Sequence, residues 1–235
     1  MNILIIGASG GIGLSIVKSA IKHYPNASIL ATYHHHIGFS HSNVHWIKLD
    51  VTNENEIKQL SKTVHDVDIL INAVGFLHSE QHKPEKSIAQ FSHNLFDKNM
   101  NLNTLPSLML AKHFEAALKA STNNTFYVVL SARIGSIKDN NIGGWLSYRM
   151  SKAALNMAIK TISIEWKLKL PHCCVMLFHP GTTDTELSKP FQKNLPKNQL
   201  QSPEFTSESL LTLIHHSTPS DSGRFRSFDG TDIEW

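Results

Sequence analysis

Residues 2–13 read NILIIGASGGIG, and this stretch decides the fold. Its first five residues predict a strand, and the apolar run at residues 3–6 is typical of a strand buried on both faces. Four glycines follow, three of them spaced as Gly7-x-x-x-Gly11-x-Gly13, and residues 12–23 then place their apolar side chains on one helical stripe. A glycine-rich turn between a strand and a helix indicates phosphate binding, because the helix N-terminus offers free N–H groups and a positive dipole end.

Each of these glycines has a predicted task. Gly7 lets the strand enter a tight turn, Gly11 lets the backbone approach a pyrophosphate, and Gly13 allows the helix to pack closely on the sheet. A glycine turn without a ligand is the alternative, and the strand-turn-helix context disfavours it. We expect the contacts of this turn with a dinucleotide to come from Gly7, Ser9, Gly10, Gly11, Ile12 and Gly13.

The rest of the chain continues the alternation of strands and helices. Apolar runs predict further strands at 28–32, 44–49, 67–72, 125–131 and 173–179, with a weaker one at 224–228. Helical patterns fall at 53–65, 92–120, 148–169 and 206–216. This alternation predicts a Rossmann-type α/β fold, a doubly wound and mainly parallel seven-stranded sheet with helices on both faces. We expect one domain over 1–235, with a lid over the site at 183–205.

Composition excludes several classes of protein. The chain has 22 Lys plus Arg against 19 Asp plus Glu, and a net charge of +3 is too small to predict nucleic-acid binding. Its apolar runs are too short to span a membrane, and its first residues lack the basic region of a signal peptide. The two cysteines, Cys173 and Cys174, are adjacent and cannot build a disulfide framework. We therefore expect a cytoplasmic protein.

The second predicted strand runs into Tyr33-His34-His35-His36, where NAD-selective folds place an acid. Residues 1–49 contain three lysines and no acid, and the first acid is Asp50. An acid would repel a 2′-phosphate, so its absence favours NADP, with NAD as the alternative. His34 could donate to that phosphate, or the three histidines could form a solvated loop. A metal site is disfavoured, because neighbours at a strand end point in different directions.

Tyr148 and Lys152 stand four residues apart at the start of a predicted helix and so share one face. A tyrosine with an ordinary pKa near 10 is a poor acid–base catalyst at neutral pH. A nearby ammonium stabilises the phenolate and lowers that pKa. Such a pair is common on protein surfaces, but together with the glycine turn it indicates a catalytic pair.

The chain resembles the short-chain dehydrogenase/reductase family over essentially its whole length. The motifs that carry the resemblance follow in family order: the glycine turn, Asp50-Val51, Asn72-Ala73-Val74-Gly75, Asn103, Ser131, Tyr148-x-x-x-Lys152 and Pro180-Gly181. The segments SARIGSI at 131–137 and HPGT at 179–182 are most similar to the C-factor-like and carbonyl-reductase-like branch.

The resemblance implies an NADP(H)-dependent oxidoreductase that interconverts a small-molecule carbonyl and an alcohol. Tyr148 would protonate the carbonyl oxygen, Lys152 would bind the nicotinamide ribose and lower the pKa of Tyr148, and Asn103 would hold a backbone kink and a water. The remaining implied cofactor contacts are Asp50, Val51, Asn72, Ala73, Gly75, Pro180, Gly181 and Thr182. A homodimer or homotetramer is also implied, with Met157, Ile164 and Trp166 on the buried helix face.

One departure from the family pattern bears on activity. The family's catalytic serine lies three residues before the loop glycine, and that position is Ala132. Ser131 is the favoured replacement and Ser136 remains open, since neighbouring strand residues face opposite ways. Losing such a donor can cost about 10²–10³ in rate, so a cofactor-binding regulatory or signalling protein with little turnover is the alternative. His179 could face the cofactor or be a structural histidine.

Overall fold

The computed structural model describes residues 1–196 and 199–235. Its main sheet has seven strands, all paired in parallel, in the order β3-β2-β1-β4-β5-β6-β9. These strands are β1 (Asn2–Ile6), β2 (Ser28–Tyr33), β3 (Val44–Lys48), β4 (Ile69–Asn72), β5 (Thr125–Leu130), β6 (Cys173–His179) and β9 (Phe225–Ser227). Two short strands, β7 (Thr182–Thr183) and β8 (Leu200–Gln201), pair separately. The predicted doubly wound fold is confirmed.

Helices cover both faces of the sheet, so there are two hydrophobic cores. Alternate residues of each strand point into one core or the other. The helices are α1 (Gly11–His23), α2 (Glu54–Thr63), α3 (His93–Asn99), α4 (Leu105–Ala120), α5 (Leu146–Lys169) and α6 (Pro203–His216). Leu4 and Ile6 pack in one core with α2, α4 and α5, while Ile3 and Ile5 pack in the other with α1 and α6. With both faces buried, the strands read as the continuous apolar runs seen in the sequence.

The helix predicted over 92–120 is divided. It consists of α3, a π-helical turn at Met100–Thr104 and α4. In a π-helical turn the backbone hydrogen bonds join residues five apart instead of four, and such turns are frequent at functional sites. Asn103, which the family resemblance assigned to a backbone kink, lies in this turn.

The apolar face expected on α5 is only partly exposed. Trp166 is not on that face, because it lies in the core with its ring centroid 5.9 Å from that of Tyr127. Met157, Ile164 and Leu168 do face outward. Within the described residues, no helix is both long enough and apolar enough to cross a membrane.

The segment predicted to be a lid, 183–205, contains the end of β7, a 3₁₀ turn at Lys189–Asn194 and β8. Lys197 and Asn198 belong to this predicted lid and lie outside the described residues. The segment follows β6 at the carboxyl edge of the sheet, next to the cleft described below.

Candidate active site

A cleft follows the carboxyl edge of the sheet where the strand order reverses, between β1 and β4. Ligands of doubly wound folds bind at this switch point. Its first part is a cavity of about 270 Å³ between the glycine turn and the ends of β2 and β4. The predicted cofactor residues that line it are Gly7, Ser9, Gly10, His34, Asp50, Val51, Ala73 and Gly75.

The second part of the cleft, about 430 Å³, connects the glycine turn with α5. Predicted residues that line this part are Ser9, Gly10, Gly11, Ile12, Gly13, Ala73, Gly75, Ser131, Tyr148, Lys152 and Pro180. Thr185 and Leu187, which were predicted only as part of the lid, also line it. Two predicted residues lie behind the cleft wall: Asn72 accepts from Val74 N–H, and Asn103 is described below.

The glycine turn has the geometry that its sequence predicts. Gly7 has a φ of +73°, which residues with a side chain rarely adopt, and its N–H donates to Thr32 Oγ1 at 3.0 Å. A Cβ on Gly13 would overlap the carbonyl oxygen of Gly7, so α1 packs directly on the turn. A Cβ on Gly11 would lie 2.5 Å from Thr185 Cγ2. The turn and the segment after β6 therefore meet in the cleft.

Lys152 in the second turn of α5 and Tyr148 in the first turn both reach the same cleft. The buried carboxylate of Glu85 accepts from the N–H and the hydroxyl of Ser147, which fixes this turn. The hydroxyl of Tyr148 has no hydrogen-bond partner among the described residues, and its side chain lines the cleft. Lys152 Nζ donates to the carbonyl of Leu130 at 3.1 Å and lies 5.9 Å from the centroid of the Tyr148 ring.

Burial dominates the protonation of this pair. It lowers the pKa of the Lys152 ammonium to about 8 and raises the pKa of the Tyr148 hydroxyl. The net direction is opposite to the lowering of the Tyr148 pKa expected from the sequence, because burial outweighs the effect of an ammonium that is hydrogen-bonded to a backbone carbonyl and not to the phenol. Tyr148 thus keeps its proton at neutral pH and can act as an acid.

Asn103 joins the loop after β4 to α5. Its Oδ1 accepts from Phe76 N–H at 2.7 Å, and its Nδ2 lies 2.9 Å from the carbonyl oxygen of Phe76 and 2.9 Å from Ser151 Oγ. Thr104 next to it donates to the carbonyl of Ser151 at 2.8 Å. The π-helical turn therefore holds the cleft wall against the helix that carries Tyr148.

The sequence profile of the short chain dehydrogenases matches residues 1–196. The chain belongs to this family. It is therefore an NAD(P)-dependent oxidoreductase, and the family resemblance found in the sequence is confirmed.

Two curated relatives and one solved structure show the range of this short chain dehydrogenase's similarities. The 1-hydroxy-2-glutathionyl-2-methyl-3-butene dehydrogenase of a Rhodococcus species is 29% identical over 80% of this chain and 78% of its own. The C-signal of Myxococcus xanthus is 35% identical over 45% of this chain and 58% of its own. An NADPH-bound carbonyl reductase from chicken fatty liver superposes with a TM-score of 0.87 at 23% identity, covering 100% of this chain and 94% of that one.

The serine of the short chain dehydrogenases has no direct substitute here. Ser131 lines the cleft, but its hydroxyl donates to Asn156 Oδ1 at 2.6 Å. Ser136 is buried, accepts from Asp139 N–H at 3.2 Å and lies outside the residues that line the cleft. Neither hydroxyl is hydrogen-bonded to Tyr148. At the position where the family has the serine hydroxyl as a hydrogen-bond donor, the site is lined by Ala132, which has no hydroxyl.

A third cavity of about 360 Å³ opens beside Tyr148, and its lining includes Gly181 and Thr182. Most of its walls are apolar or aromatic, formed by Ile12, Leu77, Ile134, Trp145, Leu187, Phe191 and Leu195. The centroid of the Trp145 ring lies 4.7 Å from that of the Phe191 ring and 6.3 Å from that of the Tyr148 ring. Trp145 was not predicted to line a cavity, although its position three residues before Tyr148 puts both at the same helix end.

Proposed function

We propose that the protein reduces a small-molecule carbonyl to an alcohol with NADPH, and that Tyr148 is the proton donor. The observation that carries the proposal is the hydroxyl of Tyr148, which has no hydrogen-bond partner in residues 1–196 and 199–235 and lies in a cleft shared with the glycine turn and Lys152. The backbone positions at Gly11 and Gly13 leave no room for side chains, which suits a turn that holds a dinucleotide phosphate. The bound cofactor would supply the hydride.

The chain's own residues would then handle the proton. Tyr148 gives its proton to the carbonyl oxygen and becomes a phenolate in a buried place, which is unfavourable without a counter-charge. The ammonium of Lys152 is buried near the same ring and provides that charge. Asn103 fixes the loop after β4, which forms the cleft wall opposite, through its hydrogen bond from Phe76 N–H. A fixed wall keeps the reacting groups in the right relative positions.

The test compares wild type with Tyr148→Phe on a panel of carbonyl compounds, with NADPH consumption as the readout. We expect turnover by wild type and its loss in the variant, with NADPH affinity unchanged by fluorescence titration. If Tyr148→Phe keeps the wild-type rate, Tyr148 is not the acid. The panel includes benzil, a diaryl 1,2-diketone, because the walls around Trp145 and Phe191 suit aromatic groups. Trp145→Ala should raise the KM for benzil more than the KM for NADPH.

NADPH is preferred over NADH in this proposal because no acid stands at the end of β2. Tyr33 and His34 line the cavity there, and the carboxylate of Asp50, which follows β3 and lines the same cavity, accepts from the N–H and the hydroxyl of Thr52. His34→Asp should reverse the preference, measured as the ratio of kcat/KM for the two cofactors. His41→Asp, an exposed histidine in the following loop, is the matched control. An unchanged ratio in His34→Asp would contradict the assignment.

A regulatory or signalling role is the second candidate, because Ala132 removes a catalytic donor and one relative is the C-signal of Myxococcus xanthus. That role predicts tight cofactor binding without turnover on any carbonyl of the panel. The same titration and rate measurement therefore separate the two functions.

We also propose a cytoplasmic homodimer or homotetramer of one domain, with the segment 183–205 as a lid. On α5 the exposed side chains of Met157, Ile164 and Leu168 offer an apolar face for a second copy. Sedimentation velocity should report a dimer or tetramer, and Ile164→Glu should shift it to monomer. A monomeric wild type would refute the oligomer.

A further inference from the structure

The cavity beside Tyr148 contains a polar side chain that the proposed function does not use. His179 is the last residue of β6 and lines this cavity together with Tyr148 and Ala132. Val175 and Leu177 precede it at the strand period of two and pack in the core that contains α5. The side chain of His179 therefore lies on the face of the sheet that carries the catalytic helix.

The cavity lacks the serine donor for a substrate carbonyl that the family uses. Ala132 has no hydroxyl, the proton of Ser131 is committed to Asn156, and Ser136 does not line the cavity. A carbonyl oxygen gains negative charge as hydride arrives and is stabilised by more than one hydrogen bond. Carbonyl reduction by this chain therefore needs another hydrogen-bond donor in place of that serine.

We propose that His179 is this second catalytic donor, and that its Nε2–H hydrogen-bonds to the carbonyl oxygen of the substrate beside the Tyr148 hydroxyl. The inference rests on the proposed carbonyl reduction. Hydride from the cofactor forms the new C–H bond, the C=O π bond breaks, and the proton on oxygen comes from Tyr148. His179 transfers no proton; it only donates a hydrogen bond.

The hydrogen bonding of the imidazole supports this tautomer. Nδ1 of His179 accepts from the backbone N–H of Arg133 at 3.3 Å. A ring nitrogen that accepts carries no proton, so the neutral ring carries its proton on Nε2. Nε2 has no hydrogen-bond partner among the described residues, and its proton is thus available to a ligand in the cavity.

The ring is neutral at physiological pH. Burial is the main cause that lowers the pKa of His179 to about 4, and the charges of Arg133 and Lys152 act in the same direction against that of Asp229. Protonating Nδ1 would also break the hydrogen bond from Arg133. Activity should therefore show no loss from this group until the pH approaches about 4.

The experiment measures kcat for benzil reduction in His179→Phe, His179→Gln and His179→Phe with Ala132→Ser. Phe keeps a flat ring without a donor, and we expect kcat to fall about 10²–10³-fold while NADPH affinity stays the same. Gln retains an N–H donor and should keep more activity than Phe. Ala132→Ser returns the missing hydroxyl and should recover about tenfold or more of the loss. His215→Phe, an exposed histidine on α6, is the matched control.

The outcomes separate this inference from the proposed function. Turnover lost in Tyr148→Phe but retained in His179→Phe would overturn only the role of His179. A wild type inactive on the whole carbonyl panel would overturn the proposed function, and the present inference with it. ¹⁵N NMR of histidine-labelled protein gives a readout without turnover, and it remains decisive if His179→Phe does not fold. We expect a neutral Nε2–H ring at neutral pH, and an Nδ1–H tautomer or a charged ring would overturn the inference.

Discussion

Replacing Lys152 with Met should abolish carbonyl reduction and yet stabilise the fold. Lys152 is 3% exposed, and in the part of the chain that the structure describes its ammonium has one hydrogen bond, to the carbonyl of Leu130. Met has a similar length and no charge, so it fills the same space without the cost of burying an ion. Activity and stability should therefore change in opposite directions, as is common at catalytic sites.

The magnitude follows from the pKa. Burial lowers the pKa of Lys152 from 10.5 to about 8. Each pKa unit corresponds to ~1.4 kcal/mol, so the charged form costs the folded state about 3 kcal/mol at neutral pH. The lost hydrogen bond offsets about 1 kcal/mol. We expect Lys152→Met to raise the free energy of unfolding by about 2 kcal/mol at neutral pH.

The pH dependence gives the sharper check. Between about pH 8 and 10.5 the unfolded chain keeps the Lys152 proton and the folded chain does not, so wild-type stability rises with pH through this range. Urea unfolding at about pH 9.5 should therefore show the advantage of Lys152→Met reduced by about 2 kcal/mol. Lys58→Met, an exposed lysine on α2, should show neither effect. A variant less stable than wild type at neutral pH, or an advantage independent of pH, would refute the reasoning.

Three further predictions test other parts of the site. Gly13→Ala should lower the free energy of unfolding by about 3 kcal/mol in urea, because its Cβ would overlap the carbonyl oxygen of Gly7. Asn103→Ala should cost about 2 kcal/mol or more, since both backbone groups of Phe76 lose their partner, and a stable variant would contradict its bridging role. The kcat/KM for carbonyl reduction should fall as the pH rises through about 8, where Lys152 loses its charge, and a flat profile to pH 10 would contradict that role.

Much of the fold could be predicted because the sequence signals are local. The apolar runs of β1, β5 and β6 alternate with helical stripes, and this pattern leaves few topologies besides a parallel doubly wound sheet. The π-helical turn at Met100–Thr104 was not predicted in its form, because apolar periodicity over 92–120 does not distinguish it from a continuous helix.

The site was predictable where spacing alone fixes geometry, as in the glycine turn and in Tyr148 and Lys152. It was not predictable where distant segments meet. The Ser131 hydroxyl donates to Asn156, which lies 25 residues further along the chain, and so it is not directed at Tyr148. Strand alternation does not reveal that partner. The protonation of Tyr148 likewise depends on how deeply α5 is buried.

The central claim is hydride transfer from NADPH to a carbonyl with the proton from Tyr148. The most direct measurement uses NADPH deuterated at the transferred position, with benzil as substrate and mass spectrometry of the alcohol. We expect wild type to form alcohol with one deuterium on the carbinol carbon, and Tyr148→Phe to bind the cofactor and form none. Unlabelled alcohol from wild type, or labelled alcohol formed by Tyr148→Phe at the wild-type rate, would contradict the account.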